Sequence, residues 1–148
     1  MDIRRRKRDP KVAWLAAHPW WGELTEDEVQ RLAALGERLD LPSGRLLMHR
    51  GQRGIEAALI IEGEVVVTRS GTVVAWLGPG EIVGELAVLD DVPRNADVRT
   101  SSDVQLLILD GAALATVLAE LEPLRQRVLD LAKRHRGPSP TGTPEGVG

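Results

Sequence analysis

Between Pro79 and Val98 the chain reads PGEIVGELAVLDDVPRNADV, and this stretch holds the residues best suited to a charged ligand. A short β-run ends at Val83, Gly84 permits a tight turn, and Glu85-Leu86-Ala87 can open a helical turn. The free N–H groups of such a turn make an anion site. Pro93-Arg94 follows close enough in sequence to fold back and bring a guanidinium to the same point. That fork matches two phosphate oxygens and stays charged at any relevant pH. Glu85 would repel a bare phosphate, but it is a good acceptor for a ligand hydroxyl. A phosphate and a sugar hydroxyl together describe a nucleotide. Taken singly, Glu85 is a helix-start carboxylate and Arg94 an arginine after a turn proline; the case for a ligand rests on the pair.

Other reactive chemistry is thin. His18, His49 and His135 are far apart, and none has a second ligand at metal spacing. Asp90-Asp91 suits a solvated loop. With no cysteine there is no thiolate site, no cysteine nucleophile and no disulfide framework. No nucleophile, base and orienting group can be assembled, so no catalytic residue, metal or cofactor is expected.

The elements that must position the Pro79–Val98 stretch are legible from the hydrophobic pattern. A helix around Lys11 to Ala17 is closed by Pro19. Thr25 and Glu28 form a capping box ahead of an apolar face at Val29, Leu32 and Ala33. Short β-rich runs then follow one another: Leu46–Met48, Ala57–Ile61, Val65–Thr68, Val73–Leu77, Asp97–Thr100 and Val104–Leu109. Eight of the fifteen glycines fall between Gly44 and Gly84, mostly separating these runs, and Ser70-Gly71 suits a two-residue hairpin. This spacing argues for a barrel or a jelly-roll sandwich. After Asp110, a helix cap, the period turns helical again through Leu114, Val117, Leu118 and Leu121. Pro123 suits the first turn of a second helix carrying Leu124, Val128 and Leu131, with Lys133, Arg134 and Arg136 at its C-terminal end.

The 148 residues amount to one domain, 43% hydrophobic and 28% charged, a globular composition. The only aromatics are Trp14, Trp20, Trp21 and Trp76, so the core must be aliphatic. Trp20, Trp21 and Trp76 are expected to pack the first helices and a barrel strand. Residues 1–11 carry a net charge of +4 and the remainder −7, an acidic body poorly suited to nucleic acid. Residues 1–10 are expected to be a disordered basic segment and 137–148, rich in Gly and Pro, a disordered tail around a domain at 11–136. No apolar run approaches the ~20 residues that span a bilayer. The basic N-terminus lacks a signal peptide's apolar stretch. A cytoplasmic location follows as an expectation, with no membrane partner.

The order and spacing of this stretch resemble the cyclic nucleotide-binding domain family. Its phosphate-binding cassette reads roughly F-G-E-L-A-L, a spacer, then P-R-(S/T/A)-A-(T/S)-V. Here the chain has Val83-Gly84-Glu85-Leu86-Ala87-Val88-Leu89, then Asp90-Asp91-Val92, then Pro93-Arg94-Asn95-Ala96-Asp97-Val98. Pro19-Trp20-Trp21 with Leu24 to Glu28 looks like the family's helical lead-in. Leu41 to Gly44 and Arg50-Gly51 are similar to its first barrel turns, and Ile60 to Val65 and Leu77 to Glu81 to its glycine-punctuated strands.

The resemblance implies a mainly β fold with flanking helices: a jelly-roll (double-stranded β-helix) barrel with N-terminal helices and a C-terminal helix pair. It implies cyclic AMP, ahead of cyclic GMP, as ligand. Glu85 would accept the ribose 2′-hydroxyl and Arg94 would pair with the cyclic phosphate. Gly84 would shape the turn, the Leu86 and Ala87 amides would complete the cradle, and Asn95 and Ala96 would line the same wall. Three residues depart from the pattern: Val83 for Phe, Asn95 for Ser, Thr or Ala, and Asp97 for Thr or Ser. Alternation puts Asp97 on the side of Asn95 and opposite Ala96. The alternative is a barrel that has lost the site and serves as a structural or interaction domain. Few residues follow Arg136, so a stand-alone module is expected, acting through an unidentified protein effector or as a homodimer rather than on DNA.

Overall fold

The computed structural model describes residues 9–18 and 24–136, except for the side chains of 128 and 131–136. The basic segment, Pro19-Trp20-Trp21 and the tail at 137–148 lie outside the described residues, as does the packing expected of Val128, Leu131 and the terminal cations. Helix α1 (Pro10–Ala16) starts at Asp9, whose side chain accepts from the Lys11 N–H at 2.7 Å. Helix α2 (Glu26–Leu35) opens with the capping box. The Glu28 N–H donates to Thr25 Oγ1, and the Thr25 N–H donates to Glu28 Oε1.

Among the described residues, eight strands follow: β1 (Glu37–Leu41), β2 (Leu46–Met48), β3 (Glu56–Glu62), β4 (Val65–Arg69), β5 (Thr72–Leu77), β6 (Ile82–Val83), β7 (Asp97–Thr100) and β8 (Val104–Asp110). A short helix, α3 (Glu85–Leu89), lies between β6 and β7, and α4 (Gly111–Glu120) and α5 (Glu122–Arg136) follow β8. The strands form two four-stranded antiparallel sheets, ordered β1-β8-β3-β6 and β2-β7-β4-β5. This is the jelly-roll architecture. Ser70 and Gly71 both have positive φ, 52° and 81°, as a two-residue hairpin of matching twist requires.

β3 and β8 sit side by side and separate two hydrophobic cores. Ala57, Leu59 and Ile61 of β3 point toward the helices, with Leu107 and Leu109 of β8 and with Leu15, Leu32, Leu114 and Leu124. Ala58 and Ile60 point the other way, into the barrel, with Val65, Val67, Val98 and Leu106. The unbroken apolar run at 57–61 is thus a strand buried on both faces, each parity serving a different core.

Two features depart from the expectations. None of the expected strand runs covers 37–41, where three of the five residues are charged and most are exposed. β1 forms there as an edge strand, held by its ladder to β8 rather than by an apolar face. Arg38 in this strand lies 4.4 Å from the Trp14 ring centroid, and Trp14 Nε1 donates to Gln105. Trp76 is not a packing residue: Leu77 turns inward, which leaves Trp76 on the outer face of β5 and 56% exposed.

Ile60 is fully buried in the barrel interior. Ile60→Ala is expected to destabilise the fold by about 2–5 kcal/mol, read as a lower urea midpoint at unchanged slope.

Candidate functional site

The expected site is assembled around Gly84. Its φ is +85°, and a Cβ there would stand 2.5 Å from Arg94 Nη1 and 2.7 Å from Met48 Sδ. Only glycine satisfies both the backbone conformation and the close approach. The turn leads into α3, whose first residues, Glu85, Leu86 and Ala87, are all buried, Glu85 completely. α3 packs between β3 and α5.

Arg94 returns to this point from the far side of the α3 loop and is 8% exposed. Its Nη1 donates to the Gly84 carbonyl at 2.9 Å and its Nη2 to the Glu56 carbonyl at 2.7 Å. Burial lowers the guanidinium pKa from its ordinary value, and the Glu56 and Glu85 carboxylates oppose that shift. The planar fork carries five N–H donors, more than these two carbonyls consume.

Gly54 makes this arrangement possible from the other side. A Cβ on it would lie 2.3 Å from the Ala87 Cβ and 3.0 Å from Arg94 Nη1. Ala96 is buried in the barrel interior and Asn95 is half-buried beside it. Asp97 faces away from Ala96, as alternation predicts. Its Oδ1 accepts from the Arg50 N–H at 2.7 Å and lies 2.9 Å from His49 Nδ1. The Arg50 N–H foremost, with His49, holds the Asp97 carboxyl below its ordinary pKa.

The structure therefore brings Gly84, Glu85, Leu86, Ala87 and Arg94 together, with Asn95 and Ala96 on the adjoining segment. Met48, Gly54 and Glu56 also shape the site and were not identified from the sequence. Glycines at 51 and 54, just ahead of the long apolar run, were the available signal of a close approach. Among the described residues no three His, Cys, Asp or Glu side chains gather as a metal site, and no helix is long and apolar enough to cross a membrane.

The profile of the cyclic nucleotide-binding domain matches residues 38–120, more than half of the chain and inclusive of the whole assembly around Gly84. The chain belongs to the cyclic nucleotide-binding domain family. It is 29% identical over 118 residues to the CRP-like cAMP-activated global transcriptional regulator of Mycobacterium tuberculosis, covering 74% of this chain and 53% of that one. It is 27% identical over 99 residues to the cGMP-dependent protein kinase egl-4 of Caenorhabditis elegans, covering 67% and 13% respectively. Among solved structures, a cAMP-binding acyltransferase from Mycobacterium smegmatis superposes with a TM-score of 0.72 at 27% identity, over 84% of this chain and 40% of that one. The chain thus spans about half or less of the length of these relatives. The Val83–Val98 stretch that resembles the family's cassette lies wholly within the matched residues.

Gly84→Ala is expected to destabilise the fold by more than about 1 kcal/mol, since the added methyl meets a left-handed backbone and the Arg94 guanidinium. Thermal unfolding beside the parent checks this. Asp97 contributes stability that is present above the ordinary carboxylate range and lost as the pH falls through its lowered value. A stability gap between the parent and Asp97→Asn at neutral pH is therefore expected to close in strong acid. Urea midpoints at the two extremes read it, and a gap of constant size contradicts the assignment.

Proposed function

We propose that this domain is a regulatory module that binds a cyclic nucleotide, cyclic AMP ahead of cyclic GMP, and relays binding through its C-terminal helices. The observation that carries the reading is the convergence of two buried, oppositely charged side chains, Glu85 and Arg94, on the Gly84 turn. Glu85 accepts the ribose 2′-hydroxyl. Arg94 pairs with the cyclic phosphate, and the Leu86 and Ala87 amides complete its cradle, with Asn95 and Ala96 on the adjoining wall. The preference for cyclic AMP draws on the two mycobacterial relatives whose names carry that nucleotide. The module has no cofactor and catalyses nothing itself; any activity belongs to a protein effector, attached or separate, or to a second copy. The Cys-free composition suits work in the cytoplasm.

The relay is supported by packing. α3 touches α5, and Arg127 of α5 donates to the Gly80 carbonyl at 3.3 Å, in the turn that leads into β6 and the cassette. A nucleotide shifts these helices only by its difference in affinity for their two arrangements.

One observation favours the competing reading of a barrel without ligand: two Arg94 donors are engaged by main-chain carbonyls. Calorimetric titration of the purified chain with cyclic AMP and with cyclic GMP separates the two. Saturable binding is expected, tighter for cyclic AMP, and Arg94→Ala is expected to weaken it by about 2–5 kcal/mol because the phosphate loses its charge partner. No heat with either nucleotide, from a protein shown to be folded, establishes the competing reading. Parent-like affinity in Arg94→Ala refutes the site.

A further inference from the structure

Arg94 is held by more than its guanidinium. Both of its main-chain polar groups end on one turn: its N–H donates to the Gln52 carbonyl at 2.8 Å, and its carbonyl accepts from the Gly51 N–H at 2.9 Å. The Gln52 N–H closes that turn on the His49 carbonyl at 3.1 Å, and Arg53 forms a β-bridge with Pro93. Gly51 has φ +89°, and Gly54 lies so close to Arg94 Nη1 and the Ala87 Cβ that no side chain fits. The 49–54 turn is thus pressed directly against the cassette, and a shift of the turn is a shift of Arg94.

The turn is tied to the cassette strand by a side chain. Asp97, first residue of β7, receives the Arg50 N–H at 2.7 Å and pairs with His49 at 2.9 Å through the same oxygen. A carboxylate accepting a main-chain N–H makes a stronger tie than a neutral acceptor does. Strand alternation turns Asp97 away from the side that buries Ala96 and Val98, and its carboxylate is directed at the turn, where the Arg50 N–H and His49 engage it.

We infer that Asp97 is a positioning residue for Arg94: its carboxylate anchors the 49–54 turn, and through the turn it sets the main-chain position from which the guanidinium meets the nucleotide phosphate. The inference rests on the proposed nucleotide-binding reading and adds to it a residue that acts on Arg94 through the turn.

The experiment is titration of the full chain with cyclic AMP for the parent, Asp97→Ala and Asp97→Asn, repeated in an Arg94→Lys background. Asp97→Ala is expected to weaken binding about tenfold. Asp97→Asn keeps an oxygen acceptor for the Arg50 N–H and is expected to rescue affinity to within about threefold of the parent. In the Arg94→Lys background, Asp97→Ala is expected to add less than about twofold, because the group being positioned is gone. Parent-like binding by Asp97→Ala, or an equal loss in both backgrounds, overturns the inference. If Asp97→Ala does not fold, Asp97→Ser takes its place with the same expectations.

Amide hydrogen exchange reads the anchor without any ligand. Exchange at Gly51 and Arg94 is expected to quicken in Asp97→Ala while Leu106, deep in the barrel, keeps its protection. If the parent binds neither nucleotide, the proposed function falls, and the exchange still decides the anchor. Unchanged protection at Gly51 and Arg94 then overturns it.

Discussion

A guanidinium that is almost wholly buried must find partners inside the protein, and Arg94 finds them in the Gly84 and Glu56 carbonyls. Leaving such a charge without partners costs several kcal/mol, about the whole margin by which a domain of this size is stable. Much of the local architecture follows from meeting that demand. The carbonyls belong to two different segments, so the arginine fastens the α3 turn to the start of β3. Gly84 and Gly54 clear the space around the guanidinium, and the carboxylates of Glu56 and Glu85 offset part of the desolvation. A ligand phosphate would enter an environment already arranged around a positive charge, which lowers the reorganisation that binding must offset.

The barrel supplies the rigidity this arrangement needs. β3 begins at Glu56, whose carbonyl holds Arg94, and continues through residues buried on both faces. Because Ala57, Leu59 and Ile61 belong to the helical core and Ala58 and Ile60 to the barrel core, β3 cannot slide by one residue without reversing both sets. Its register is therefore doubly fixed, and with it the position of the Glu56 carbonyl. β6 pairs with the same strand through Ala58–Val83 and Leu59–Ile82, which places the last residue before Gly84. Both anchors of the guanidinium are thus set by one strand.

The parts of this design that were legible in the sequence are those carried by residue type at short range. Thr25 and Glu28 announce a cap, the 57–61 run a strand, and Gly84, Glu85 and Arg94 a charged site, because each depends on side chains close together along the chain. What stayed hidden depends on main-chain atoms or on long-range pairing. Glu56 contributes a carbonyl, which any residue type could supply, so its identity carries no signal. β1 is charged and exposed and exists because β8 offers it a ladder. The outward face of Trp76 is decided by the parity of Leu77, which only the finished barrel reveals.

The same parity settles how the departures from the family pattern should be weighed. An acidic residue three positions beyond Arg94 looks hostile to an anion when the sequence is read as a string. In the folded chain, residues on alternate sides of a strand answer to different surroundings. Ala96 and Val98 answer to the barrel interior, while Asp97 answers to the Arg50 N–H and His49. At that position a carboxylate is satisfied by a donor and a basic ring, and its charge is directed away from the side on which Ala96 is buried. Val83 and Asn95 are the other departures; Val83 is buried in the barrel core, and Asn95, half-buried beside Ala96, carries an amide that both donates and accepts. Departure from a pattern therefore counts against a site only where the altered side chain is not already engaged by other groups of the fold, as Asp97 is by the turn.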